Sequence, residues 1–169
     1  MWSKTRQILK ERLANSLKGR VDYHYDVYHD ARSKVKRDWH TTEMHVLSII
    51  VDGDAWFCTN PKFYRIKYQK GNSKTDEEII LETGIVGNIW GLDASWYIHH
   101  YLNVLSADKS LTEDNYFIRL LAVLDNRIGK RRLRPLLDNI DNEPEWFRKW
   151  IRLRCEAEGM VAVTEKQSV

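Results

Sequence analysis

Leu9, Leu13 and Leu17 recur at every fourth position, with Ile8 beside them and Lys or Arg on the remaining faces. That spacing predicts an amphipathic helix over residues 4–18, closed by Gly19 just past its end. The period then changes. From Val21 to Tyr28, Val21, Tyr23, Tyr25 and Val27 fall on one side, and Asp22, His24, Asp26 and Tyr28 on the other. A period of two belongs to a strand with one buried face. The charged stretch 29–43 reads as an exposed excursion. Residues 44–51, Met-His-Val-Leu-Ser-Ile-Ile-Val, form a second strand. Asp52-Gly53 is a two-residue hairpin signal, because such turns require positive φ, and Ala55–Cys58 returns as a short third strand.

Beyond residue 59 the pattern turns helical. Asn60-Pro61 reads as a cap followed by Pro at the first helical position, although Tyr64, Ile66 and Tyr68 also fit a strand. Thr75 and Glu78 have capping-box spacing ahead of a helix that Gly84 can end; a buried strand over 77–82 is the alternative. Asp93 is placed to cap a helix over 94–105, with Tyr97, Ile98, Tyr101, Leu102 and Leu105 on one stripe. Ser110 and Glu113 read as a second capping box, before a helix carrying Phe117, Leu120, Leu121 and Leu124 that stops at Gly129. A short helix holds Leu133, Leu136 and Leu137, limited by Pro135. The last helix starts at Asp141 or Asn142, with Pro144 in its first turn, buries Trp146, Phe147, Trp150 and Leu153, and ends at Gly159. The expected fold class is α+β: an N-terminal helix, an antiparallel sheet of about three strands, then a mostly helical half. A chain of 169 residues without a linker or repeat reads as one domain over residues 1–163, with a frayed tail at 164–169.

Charge changes this picture more than composition does. The total of +3 hides net values of +5 for residues 1–40, −5 for 41–118, +5 for 119–154 and −2 for the tail. If the basic segments meet, they form a positive face able to steer an acidic partner or a polyanion; if they lie apart, they solvate helix surfaces. Two cysteines, Cys58 and Cys155, are too few for a disulfide framework and fit small buried residues. The N-terminus lacks an apolar leader core, and no run approaches the ~18 apolar residues of a membrane span, so the cytoplasm is the expected compartment.

The densest candidate site is the run from Arg127 to Pro135, with five positive charges in nine residues at a helix break. Arg127, Lys130, Arg131, Arg132 and Arg134 there suit anion contact, joined by Arg148, Lys149, Arg152 and Arg154 on the last helix, where Arg148 and Arg152 lie together one turn apart. They equally suit a solvated face paired locally to Asp125 or Asp138. No zinc finger, RNP-type aromatic motif or clear helix-turn-helix accompanies them, so contact to nucleic acid would be blind to sequence. A second candidate is Asp22, His24 and Asp26, aimed to one side of a strand with His40 or His45 able to join. Carboxylates and imidazole together could hold a metal or run acid–base chemistry, whereas the ordinary reading is the wet face of a strand. The adjacent His99 and His100 point about 100° apart on a helix and do not readily grip one ion. The glycines Gly84, Gly87 and Gly91 match neither a Walker A loop nor a dinucleotide fingerprint, and fit an irregular connection under Trp90 and Trp96. Nothing in the chain calls for a cofactor.

Several stretches carry a family likeness: Leu13 and Leu17-Lys18-Gly19-Arg20-Val21-Asp22-Tyr23; Val51-Asp52-Gly53; Leu121 through Asp125-Asn126-Arg127 to Leu133; Glu145-Trp146 leading to Leu153-Arg154; and Glu156-Ala157-Glu158-Gly159. In these the chain resembles a family of small bacterial proteins with no established function. The resemblance implies a bacterial cytoplasmic protein and carries over no functional residue; proteins of this kind often partner toxins or confer immunity to them. The leading expectation is therefore a non-enzymatic macromolecule-binding protein. Its partner is another protein or a nucleic acid, met through the basic helix junction. A metal-dependent hydrolase or nuclease using Asp22, His24 and Asp26 is the reading from a different class.

Overall fold

A computed structural model describes residues 2–29, 43–59, 71, 73–75 and 91–160. The helices expected after Pro61 and Thr75, the glycines Gly84 and Gly87, Trp90, His40 and the tail lie outside the described residues. The chain divides into two compact units, one of residues 1–10 and 19–99, the other of residues 11–18 and 100–169.

The first helix, α1 (Trp2–Arg12), starts earlier and stops sooner than its leucine spacing predicts. Leu13 and Ala14 leave the helix because their backbone is used elsewhere. Leu13 forms an antiparallel bridge with Asp125, the Ala14 N–H donates to the Leu124 carbonyl at 2.8 Å, and the Asn126 N–H donates to the Arg12 carbonyl at 2.6 Å. A 3-10 turn at Asn15–Leu17 follows. Leu13 and Leu17 are still buried, so the periodicity marked the right inward-facing residues and the wrong backbone.

In the first unit, β1 (Val21–His29), β2 (Glu43–Val51) and β3 (Asp54–Cys58) form an antiparallel sheet in the order β1-β2-β3. Register sets Val21 against Val51, Tyr23 against Ile49 and Ile49 against Phe57, and all five are buried. The β2–β3 turn has positive φ at both Asp52 (53°) and Gly53 (95°), the combination a two-residue hairpin needs to follow the strand twist. The predicted inward face of β1 holds only at its start: Tyr25 is half-buried and Val27 is 41% exposed. Helix α1 runs opposite to β1, with the Trp2 ring 5.2 Å from Tyr25 and Arg6 reaching Asp22. Helix α2 (Gly91–Asn103) begins two residues before the expected Asp93 cap, so Asp93 sits in its first turn, and it ends short of Leu105. Gly91 lies against the His45 backbone, where any Cβ would overlap the carbonyl.

In the second unit, α3 (Ala107–Leu111), α4 (Tyr116–Leu124), α5 (Lys130–Asp138) and α6 (Glu145–Ala157) build the helical half. Ser106 caps α3 by accepting the Lys109 N–H; Ser110, expected to cap the helix that carries Phe117, is instead buried within α3 and donates to the Ser106 carbonyl. Asn115 caps α4, its side-chain oxygen accepting from both Phe117 and Ile118. Helix α4 stops at Leu124 instead of Gly129, and Gly129 precedes α5 as its N-cap. Pro135 lies inside α5 and does not end it. A 3-10 turn at Ile140–Asn142 occupies the expected start of the last helix, which begins after Pro144. Gly159, with φ 67°, lies just past the end of that helix. Seven of the nine α4 residues are buried, which makes it the central helix of this unit, flanked by α3 and α6, with α5 packed on α6. The architecture is α+β in the order expected: a helix, a three-stranded antiparallel sheet, then helices.

Candidate functional site

The basic run begins on a segment pinned to its surroundings. Asp125, 1% exposed, closes the end of α4. Its carboxylate accepts the Arg127 N–H at 2.7 Å, the local turn that Asp makes with the residue two positions on. The same carboxylate takes the Arg127 guanidinium through Nε and Nη2 and receives the Tyr101 hydroxyl. Arg127 also lies 6.0 Å from the centre of the Tyr101 ring, with Arg12 5.7 Å from it. The Asp125 hydrogen bond holds Arg127 more firmly protonated than usual, against the effect of burial. Burial raises the Tyr101 pKa first, and the adjacent Asp125 charge raises it further. Arg127 is thus committed to the fold.

A buried arginine secures the other side of this segment. Arg154, 3% exposed, donates to the Ile128 carbonyl at 2.9 Å and to Ser16 Oγ at 2.9 Å, and it pairs with Glu158. Burial pushes its pKa down, while Glu158 works in the other direction. Glu158 itself is held below its ordinary range by the Ser16 hydroxyl, then, against partial burial, by the charges of Arg154 and Lys130. Sequence reasoning placed Arg154 among the surface cations. The Arg154–Glu158 spacing of four was the available signal for the pair, but nothing local showed that it would be buried.

The remaining cations differ in what they already hold. Arg132 bonds Asp108 through Nη2 at 2.8 Å, Arg134 stands 4.0 Å from Asp138, and Arg148 reaches Glu145 at 3.3 Å, Asp141 at 3.7 Å and the Glu143 carbonyl at 2.6 Å. Lys130, Arg131 and Arg152 are exposed, and none of them has an ion pair among the described residues. Lys130 and Arg131 open α5, whose first turn carries no acidic residue and whose start has no side-chain cap.

Asp22, His24 and Asp26 do project from one face of β1. Asp22 is bound by Arg6 (2.5 Å) and Lys10 (3.4 Å), and His24 stands 3.7 Å from it. Partial burial acts to raise the Asp22 pKa, but the Arg6 hydrogen bond, the Tyr23 N–H and the two cations outweigh it, so the carboxyl sits below its ordinary range. His45 does not join: it pairs in register with Val27, on the opposite face, and its Nδ1 lies 2.9 Å from the Tyr25 hydroxyl. His99 is exposed and His100 half-buried on α2. Cys155 is buried, while Cys58 is half-buried with Ser48 Oγ 3.4 Å from its sulfur, and neither is in a disulfide. Among the described residues no group of three or more His, Cys, Asp or Glu side chains is arranged to hold a metal ion, and no helix is long and apolar enough to cross a membrane.

These features define an α+β protein whose densest charge lies at the junction between α4 and α5. The chain belongs to the SF0329 protein family, whose model matches residues 1–155. No curated protein and no solved structure matches it.

Proposed function

We propose that this is a non-enzymatic binding protein of the cytoplasm that docks an acidic macromolecule on the face formed by the start of α5 and the exposed side of α6. The observation that carries the reading is the division of labour within the basic run. Arg127 is held by Asp125, and Arg132, Arg134 and Arg148 have acidic neighbours, while Lys130, Arg131 and Arg152 project without an ion pair among the described residues. Cations in the first turn of a helix oppose its dipole, so Lys130 and Arg131 gain nothing from the α5 dipole where they stand. The segment that presents them is fixed by Asp125 and Arg154, so little ordering remains to be done on binding. The arrangement of Asp22 does not favour the hydrolytic reading, because two cations of α1 already occupy that carboxylate.

Retention on immobilised heparin, a sulfated polyanion, tests this. The wild-type chain should be retained and the Arg131→Ala/Arg152→Ala variant should elute at clearly lower salt. Identical elution of the two proteins would remove this face as the contact surface.

A further inference from the structure

We infer that the partner of this face presents the carboxylates of an acidic protein surface, not a phosphodiester backbone; this rests on the reading of the face as the contact surface. The argument is a count of charges and of what surrounds them. Affinity for nucleic acid grows with the number of phosphates neutralised, through release of condensed counterions. Nine cations line the run and α6, and five of them, Arg127, Arg132, Arg134, Arg148 and Arg154, already face carboxylates of their own chain. Lys149 is half-buried against the Trp150 ring. Lys130 is close enough to Glu158 to help hold its carboxyl ionised. Arg131 and Arg152 are left, with Lys130 in part, too few for a backbone track.

The paired carboxylates also remain at the surface. Asp108 is 62%, Asp141 90% and Glu145 80% exposed at the side chain. A phosphate backbone passing over this face would meet those negative groups as well as the cations. A folded protein surface carries both signs and can set carboxylates opposite Arg131 and Arg152 and its own lysines opposite Asp141 and Glu145. Arginine suits the first task, since its planar guanidinium takes a carboxylate through two parallel hydrogen bonds.

Fluorescence anisotropy with the full chain and two labelled probes of equal charge, an oligoglutamate peptide and a single-stranded oligothymidylate, decides between the partners. The peptide should bind at least as tightly as the oligonucleotide. With two or three ions involved, the logarithmic salt slope should be about −2 to −3. Arg131→Ala/Arg152→Ala should weaken the peptide about tenfold, or about 1.4 kcal/mol. Lys18→Ala/Lys109→Ala, at exposed cations outside the run, should leave it unchanged. Tighter oligonucleotide binding with a slope beyond about −5 would overturn the inference and leave the docking face standing. Binding of neither probe would overturn both.

Discussion

Arg127 and Arg131 look alike in the sequence and have opposite roles in the fold. Removing Arg127 strands a fully buried carboxylate beside Tyr101. Arg127→Ala should cost about 2–3 kcal/mol in urea unfolding, the lower side for a broken buried ion pair because the arginine is 37% exposed and water can reach in. Arg131→Ala should stay within about 0.5 kcal/mol, as surface substitutions do. Equal losses at the two sites would contradict the assignment. Glu158 adds a pH test. Its pKa is lower folded than unfolded, so its contribution is fully present above the ordinary glutamate value of 4.5 and is lost as pH falls through the folded value. Between about pH 5 and about pH 3 the wild type should therefore lose more stability than Glu158→Gln, which carries no such group. Parallel pH profiles would rule out this role for Glu158.

At the scale of elements, caps and close approaches decide boundaries that periodicity leaves open. Asn115 satisfies two free N–H groups at the start of α4, so Asn115→Ala should cost about 1 kcal/mol. Asp93, which the sequence marks as a cap, only adds charge to the first turn of α2; Asp93→Ala should cost no more than about 0.3–1 kcal/mol, read by the same unfolding experiment. Gly91 was read as one of several loop glycines, yet it is the point where α2 meets β2. Gly91→Ala should destabilise by about 1–3 kcal/mol, because the new methyl meets backbone at His45, which cannot step aside as a side chain would. A neutral result in thermal unfolding would mean that α2 can shift away from the strand.

At the scale of the whole molecule, neither unit is a continuous stretch of chain. The helical unit takes in residues 11–18, which supply the buried Leu13, Ala14 and Leu17, the backbone bonds to Leu124 and Asn126, and the Ser16 bond to Glu158. Two buried leucines alone are worth about 1.5–3 kcal/mol each in removed apolar surface, comparable with much of the stability of a small domain. A fragment of residues 100–169 should thus lack cooperative unfolding by circular dichroism and gain it when residues 11–18 are added as a peptide. A fragment that melts cooperatively without the peptide would show the segment to be dispensable.

The sequence by itself determined the kinds of element and their order. A period of two over Val21–Tyr28, the Asp52-Gly53 turn and the leucine and aromatic stripes of the later helices depend on local sterics and on which residues avoid water, and both are written along the chain. It also located the basic run. Only the tertiary structure decided where α1 ends, because Leu13 and Ala14 pair with residues more than a hundred positions away. In the same way it decided which arginines are free. Arg127 is bound to the buried Asp125 and Arg154 is itself buried against Ile128 and Glu158, whereas Arg131 and Arg152 face water, and charge carries no periodic mark of that difference. An arginine's partner is set by what the fold brings within about 3 Å of it, and most of those groups come from other elements.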